Sequence, residues 1–148
     1  VSCGGTGSYW ITAHQSGVTE VQAGGGVLGD AMYRERFGVD HDCALRIIAT
    51  VTSRPTPERV ICDAGRKTMS VEPTTPQVQR LVLTDAKFSA EHGSLTLAEP
   101  STVPSVGDRI EFIAGYSDTT VFLHDTIYAT RAGVVEAVWP LLGRGRLT

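Results

Sequence analysis

The segment Gly115–Thr120 reads "GYSDTT" and sets a phenol and a carboxylate two positions apart, Tyr116 and Asp118, directly after a strand-like run. A phenol in such a place donates a hydrogen bond or relays a proton. The alternative for Tyr116 is an aromatic ring packed at a strand end. Asp118 also has two readings, because "SDTTVFLHD" has the form of an N-cap followed by a short helix, with Ser117 or Asp118 as the capping residue. Of the four histidines, His14 and His41 lie in loops without a spaced partner and are expected to be exposed. No Ser-His-Asp set and no HExxH motif is visible.

A second group of residues suits an anion. "GGTGS" (Gly4–Ser8) and "AGGG" (Ala23–Gly26) lie about 20 residues apart and flank a strand-like segment at 18–23. Successive glycine amides can converge into a concavity that fits a phosphate, with Thr6 or Ser8 adding a hydroxyl. Glu20 and Gln22 alternate on the strand, where they either reach a ligand from its end or face solvent. Ordinary flexible turns are the competing reading. The chain has no GxxxxGK[ST] sequence, so a nucleotide P-loop is not expected.

The elements that must position these groups are mostly strands. In "CALRIIATVTSR", Leu45, Ile47, Ala49 and Val51 alternate with Ala44, Arg46, Ile48 and Thr50, a period of two. "RVICDAG" follows after the turn signal "PTP", then "RLVLT", "GSLTLAE" with Leu95 and Leu97 on one face, "VGDRIEFIAG" with Ile110 and Phe112 on one face, "TIYATRAG" and "VVEAVWP". About seven short strands separated by Gly, Pro, Asp and Ser predict a mainly β barrel or sandwich. Helical candidates are confined to residues 29–37 and the turn or two after Asp118. The change of character between residues 30 and 43 marks an expected domain boundary.

Composition narrows the class. The 148 residues are 41% hydrophobic and 20% charged, which is globular and large enough to bury a core. A net charge of -3 carries no electrostatic footprint for nucleic acid. No apolar run approaches the roughly 18 residues that span a bilayer, and the expectation is a soluble, cytoplasmic protein. The three cysteines, Cys3, Cys43 and Cys62, have no CxxC spacing and are expected to be buried free thiols. The chain starts at Val1 beside a glycine-rich loop, from which further polypeptide upstream is expected.

"VTEVQAGGGVLGD", "VICDAGRKTMS", "SAEHGSL", "VGDRIEFIAGYSDTTVFLHD" and "GVVEAVWP" occur in the order found in the C-terminal part of D-threonine aldolases and D-serine dehydratases, fold-type III pyridoxal-phosphate enzymes related to alanine racemase. The chain resembles that family from Val1 to about Arg146. The resemblance implies a homodimeric enzyme with an N-terminal (β/α)8 barrel carrying the cofactor and a C-terminal β domain. Residues 1–30 would be the last barrel strands and loops, and residues 31–148 the β domain. "CGGTG" and "QAGGG" would match the loops that hold the cofactor phosphate, which places that role on Gly5, Thr6, Gly24 and Gly25 with Gln22 nearby.

The same resemblance bears on the chemistry. It implies a substrate among D-3-hydroxy amino acids, with aldol cleavage or dehydration as the reaction. It gives His92 a role near the substrate pocket, against the plain reading of a turn histidine, and gives His124 and Asp125 a structural hydrogen-bonding role. Family members carry His-x-Cys or His-x-Asp where this chain has Tyr116 and Asp118, and that pair binds a divalent metal. Asp118 keeps the second ligand, whereas a phenol with a pKa near 10 is a poor ligand for zinc or manganese. The family's cofactor-bearing lysine lies upstream of Val1. Lys67 and Lys87 sit in polar segments without the apolar surroundings that imine chemistry needs, so the chain alone is expected to be inactive. A racemase relative, and a β domain that has become a binding or assembly module, remain the alternatives.

Overall fold

A computed structural model describes residues 1–146; the last two residues of the 31–148 stretch lie outside the described residues. The chain is mainly β, with ten strands and three short α-helices among the described residues. At the N-terminal end, β1 (Ser2–Gly5) and β2 (Glu20–Gln22) pair in parallel, joined through α1 (Tyr9–Thr12). A parallel pair needs such a crossover, so residues 2–22 form a short βαβ unit. Strand β1 lies within the segment that the sequence presents as a loop. One 3-10 turn, Gly24–Val27, and α2 (Ala31–Phe37) follow.

Residues 46–113 form a six-stranded antiparallel sheet in the order β5-β8-β3-β4-β7-β6. Its members are β3 (Arg46–Thr56), β4 (Arg59–Cys62), β5 (Gln77–Val78), β6 (Leu83–Phe88), β7 (Gly93–Leu97) and β8 (Arg109–Ile113). The alternation in β3 turns Ile47, Ala49 and Val51 inward and leaves Ile48 exposed. Register then stacks like on like: Ile47 opposes Phe112, Ala49 opposes Ile110, and Val60 opposes Leu95. These side chains, with Cys62, Met69 and Leu97, make the core.

Beyond the sheet lie α3 (Ser117–Val121) and a separate hairpin of β9 (Thr126–Arg131) and β10 (Val134–Pro140). The expected "RLVLT" strand falls three to four residues later, as β6. There Arg80 adopts a positive φ of 63°, and the β6–β7 ladder is irregular between Leu83 and Asp85. Likewise β3 runs through Pro55 to Thr56 instead of ending at the "PTP" signal.

Two of the three cysteines are buried as expected, and Cys3 is only half-buried. Burial pushes the Cys62 thiol above its ordinary pKa, which starves it of reactive thiolate. Iodoacetamide is therefore expected to leave Cys62 unmodified in the native protein and to label it after denaturation, as read by peptide mass spectrometry.

Candidate functional site

Strand β8 delivers its chain into the site. Ala114 and Gly115 follow it, and their carbonyls accept hydrogen bonds from the amides of Ala31 and Met32 at 3.0 Å each. This is where α2 begins. A Cβ on Gly115 would stand 2.0 Å from the Thr74 carbonyl oxygen, so only glycine lets the 70–74 backbone pass this close. Helix α3 then starts at once, with Tyr116 as its N-cap and no side-chain cap. The expectation that Ser117 or Asp118 caps the helix is therefore corrected, because Ser117 has a different task.

That task involves Asp30, fully buried at the N-terminus of α2. Its Oδ1 accepts from the Tyr33 amide at 2.8 Å and caps α2, while Oδ2 accepts from both the amide and the Oγ of Ser117, each at 2.8 Å. A single carboxylate thus joins two helix starts 87 residues apart. On the far side, Thr120 Oγ donates to the Tyr116 carbonyl at 2.7 Å and accepts from the Ser70 amide at 3.0 Å. The backbone of "GYSDTT" is held from both directions.

Within that frame, the Tyr116 hydroxyl donates to Asp118 Oδ2 at 2.8 Å. The hydrogen bond to Asp118, and after it burial, push the phenol well above its ordinary pKa, so it stays protonated at neutral pH. Tyr116 is half-buried and Asp118 exposed. The ring of Tyr33 meets that of Tyr116 edge-on, with centroids 6.1 Å apart and planes at 65°. The same Tyr33 ring lies 2.7 Å from where a Cβ on Gly25 would be.

The glycine loops complete this neighbourhood. Thr6 is buried, and its Oγ accepts from the Gly26 amide at 3.1 Å, which ties the first loop to the second. Gly5 and Gly24 face open space, and the amides of Gly24 and Gly25 take no part in the backbone hydrogen bonds described around the loop. His41, expected to be exposed, is half-buried against Gly26 instead. Its Nε2 is bonded to the Tyr9 hydroxyl at 2.7 Å, and its buried Nδ1 has no partner.

Gln22 is exposed, with its amide committed to Ser2 Oγ at 2.9 Å. His92 lies elsewhere, exposed on the β6–β7 hairpin turn, where its amide and carbonyl bond to Ser89. His124 Nε2 bonds to the Thr68 carbonyl at 2.7 Å, and Asp125 pairs with Arg144. Tyr33, Asp30 and His41 are the site residues that sequence reasoning passed over. Only Asp30 had a readable signal, an Asp at the start of the helical candidate at 29–37.

These features can be tested against two groups. A phosphate fits: two uncommitted glycine amides, a buried threonine hydroxyl whose proton has no acceptor among the described residues, and an orphaned imidazole nitrogen all lie along one loop pair. A divalent transition metal does not fit, because no three His, Cys, Asp or Glu side chains converge among the described residues. Asp118 is already the acceptor of a phenol proton. Among the described residues, no helix is long and apolar enough to cross a membrane.

Comparison with known proteins agrees with the motif reading. Residues 44–130 match the family model described as "Putative serine dehydratase domain". The chain is 34% identical to a D-threonine aldolase of Arthrobacter sp over 98% of its own length and 39% of that protein's. It superposes on the crystal structure of D-threonine aldolase from Filomicrobium marinum with a TM-score of 0.86 at 27% identity, covering 100% of this chain and 42% of that one. It also matches a cysteine-to-alanine variant of D-threo-3-hydroxyaspartate dehydratase in the metal-free form, with a TM-score of 0.76 at 27% identity over 95% of this chain and 43% of that one. The chain spans about two fifths of the length of the relatives it matches.

Proposed function

The chain belongs to the serine dehydratase domain family, and on that footing we propose that it is the C-terminal part of a pyridoxal-phosphate-dependent lyase acting on D-3-hydroxy amino acids. Tyr33 carries this reading, because it touches both Gly25 and Tyr116 and so sets the phosphate-fitting loops beside the Tyr116–Asp118 loop. Pyridoxal phosphate, when bound, supplies the electron sink for cleavage at the amino acid's carbon centres. The amides of Gly24 and Gly25 and the Thr6 hydroxyl hold its phosphate, with Gly5 giving clearance and Gln22 bordering the loop through Ser2. Tyr116 and Asp118 face the substrate's side chain. His92 enters only through the motif it shares with the family, since its hairpin makes no described contact with the Tyr116 loop.

In this reading the covalent anchor is a lysine outside these 148 residues. Lys67 and Lys87 are exposed and paired with Glu91 at 2.7 Å and Asp85 at 3.3 Å. A solvated lysine held by a carboxylate lacks the apolar pocket that activates an imine-forming nucleophile. The reading keeps the expected setting: an N-terminal barrel segment as partner, a homodimer, a small D-amino acid as substrate, and the cytoplasm. Residues 1–30 belong with the barrel and residues 31–148 form the β domain.

Pyridoxamine 5′-phosphate, which cannot form an imine with surface lysines, tests the phosphate loops. Added to the 15N-labelled protein, it is expected to move the amide signals of Gly24, Gly25 and Gly26, while pyridoxamine without the phosphate leaves them in place. Gly25→Ala puts a methyl against Tyr33 and is expected to abolish the shifts. The 148 residues with pyridoxal phosphate should turn over neither D-threonine nor D-3-hydroxyaspartate until the lysine-bearing polypeptide is supplied. Unmoved amides, or turnover by the chain unaided, would overturn the proposal.

A further inference from the structure

The disagreement between the Tyr116–Asp118 loop and a divalent metal goes beyond a missing ligand. We infer that this loop is built to do without a metal ion, with the Tyr116 hydroxyl serving as an internal partner that occupies Asp118 where a cation would bind. The inference deepens the proposed function, since it concerns the loop that reading sets against the substrate.

Four observations support it. First, the phenol donates to Asp118 Oδ2 at 2.8 Å, so Asp118 already has a hydrogen-bond donor in the place of a cation. Second, the ring is packed on one side, where Tyr33 abuts it edge-on with centroids 6.1 Å apart. Third, the loop backbone is pinned by Asp30 to Ser117 and by Thr120 to the Tyr116 carbonyl, so the pair is a built arrangement. Fourth, among the described residues no three His, Cys, Asp or Glu side chains converge to hold an ion. His92 is on a distant hairpin turn, His124 is spent on Thr68, and His41 is bonded to Tyr9. Cys43 and Cys62 are sequestered in the two cores. Zinc and manganese sites are made of imidazole, thiolate and carboxylate groups, and here a single carboxylate remains.

Metal binding to the protein, measured without cofactor or turnover, tests this directly. Mn²⁺ binding followed by electron paramagnetic resonance, and Zn²⁺ binding by equilibrium dialysis, would be compared for the wild type, Tyr116→His, Tyr116→Phe and Asp118→Asn. The wild type should show no stoichiometric binding that Asp118→Asn removes. Tyr116→His should gain affinity of at least the 10- to 100-fold that even an outer-shell partner of a metal typically contributes, roughly, and adding Asp118→Asn should cancel the gain. Tyr116→Phe frees Asp118 without adding a ligand and should stay near the wild type.

One Asp118-dependent equivalent of Mn²⁺ or Zn²⁺ in the wild type would overturn the inference. So would a Tyr116→His variant, shown folded by circular dichroism, that binds no better than the wild type. Because neither measurement involves pyridoxal phosphate, failure of the lyase reading would leave these results standing, and failure here would leave the phosphate loops untouched.

Discussion

Replacing Asp30 with alanine is expected to destabilise the protein by about 3 kcal/mol and to release the start of α3. The side chain is fully buried and accepts three hydrogen bonds, from Tyr33 and twice from Ser117. Hydrogen bonds to a charged group contribute roughly 1.5–3 kcal/mol each. The sum is reduced because removing a carboxylate also removes its own desolvation cost. What remains is two backbone amides and a hydroxyl left without an acceptor. Asp30→Asn retains one oxygen and can serve the Tyr33 side or the Ser117 side but not both, so about half the loss is expected. Urea denaturation gives the energies. Amide hydrogen exchange separates the two sides, since Tyr33 and Ser117 should both lose protection in Asp30→Ala and only one of them in Asp30→Asn, whereas a substitution in the sheet core would leave local exchange at Ser117 slow until global unfolding.

Phe112→Ala has the larger expected effect, roughly 3–5 kcal/mol. Phe112 is completely buried in β8, opposes Ile47 across the β3 pairing, and meets Phe88 edge-on with centroids 6.1 Å apart. It is the largest fully buried side chain among the described residues, and most of the core around it is held in the sheet. Against a total stability of about 5–15 kcal/mol for a typical domain, the loss removes roughly a fifth or more. Phe112→Leu should recover most of it. Differential scanning calorimetry of the two variants checks the ratio. A fall in melting temperature no greater for alanine than for leucine would mean that the core collapses around the gap. Because Tyr116 follows β8 by three residues, the cofactor-side shifts expected for Gly24 to Gly26 should persist in Phe112→Leu.

The two substitutions divide what one dimension of sequence can convey from what it cannot. The inward set of β3, the Leu95–Leu97 pair and the Ile110–Phe112 pair were legible because a strand's faces alternate strictly, so burial leaves a period of two in the residues themselves. The glycine loops and the helix at 29–37 were legible for a similar reason, since unusual backbone demands unusual residues nearby. Strand ends were less so: β3 continues through Pro55 and β6 starts late, because those limits are set by partners across the sheet. His41 was misjudged as exposed because its neighbours, Tyr9 and Gly26, are 32 and 15 positions away.

The chain's family, its mainly β class and the substitution of a phenol for the expected histidine at position 116 were determined by the sequence alone, because ordered motifs and alternation are local properties that survive without coordinates. Only the tertiary structure decided that Asp30 reaches Ser117, that Tyr33 stands between Gly25 and Tyr116, and that the Tyr116 proton is directed at Asp118. Those contacts join segments up to 87 residues apart. Such pairing follows from how the sheet and α2 stack, and no pattern along the chain encodes it.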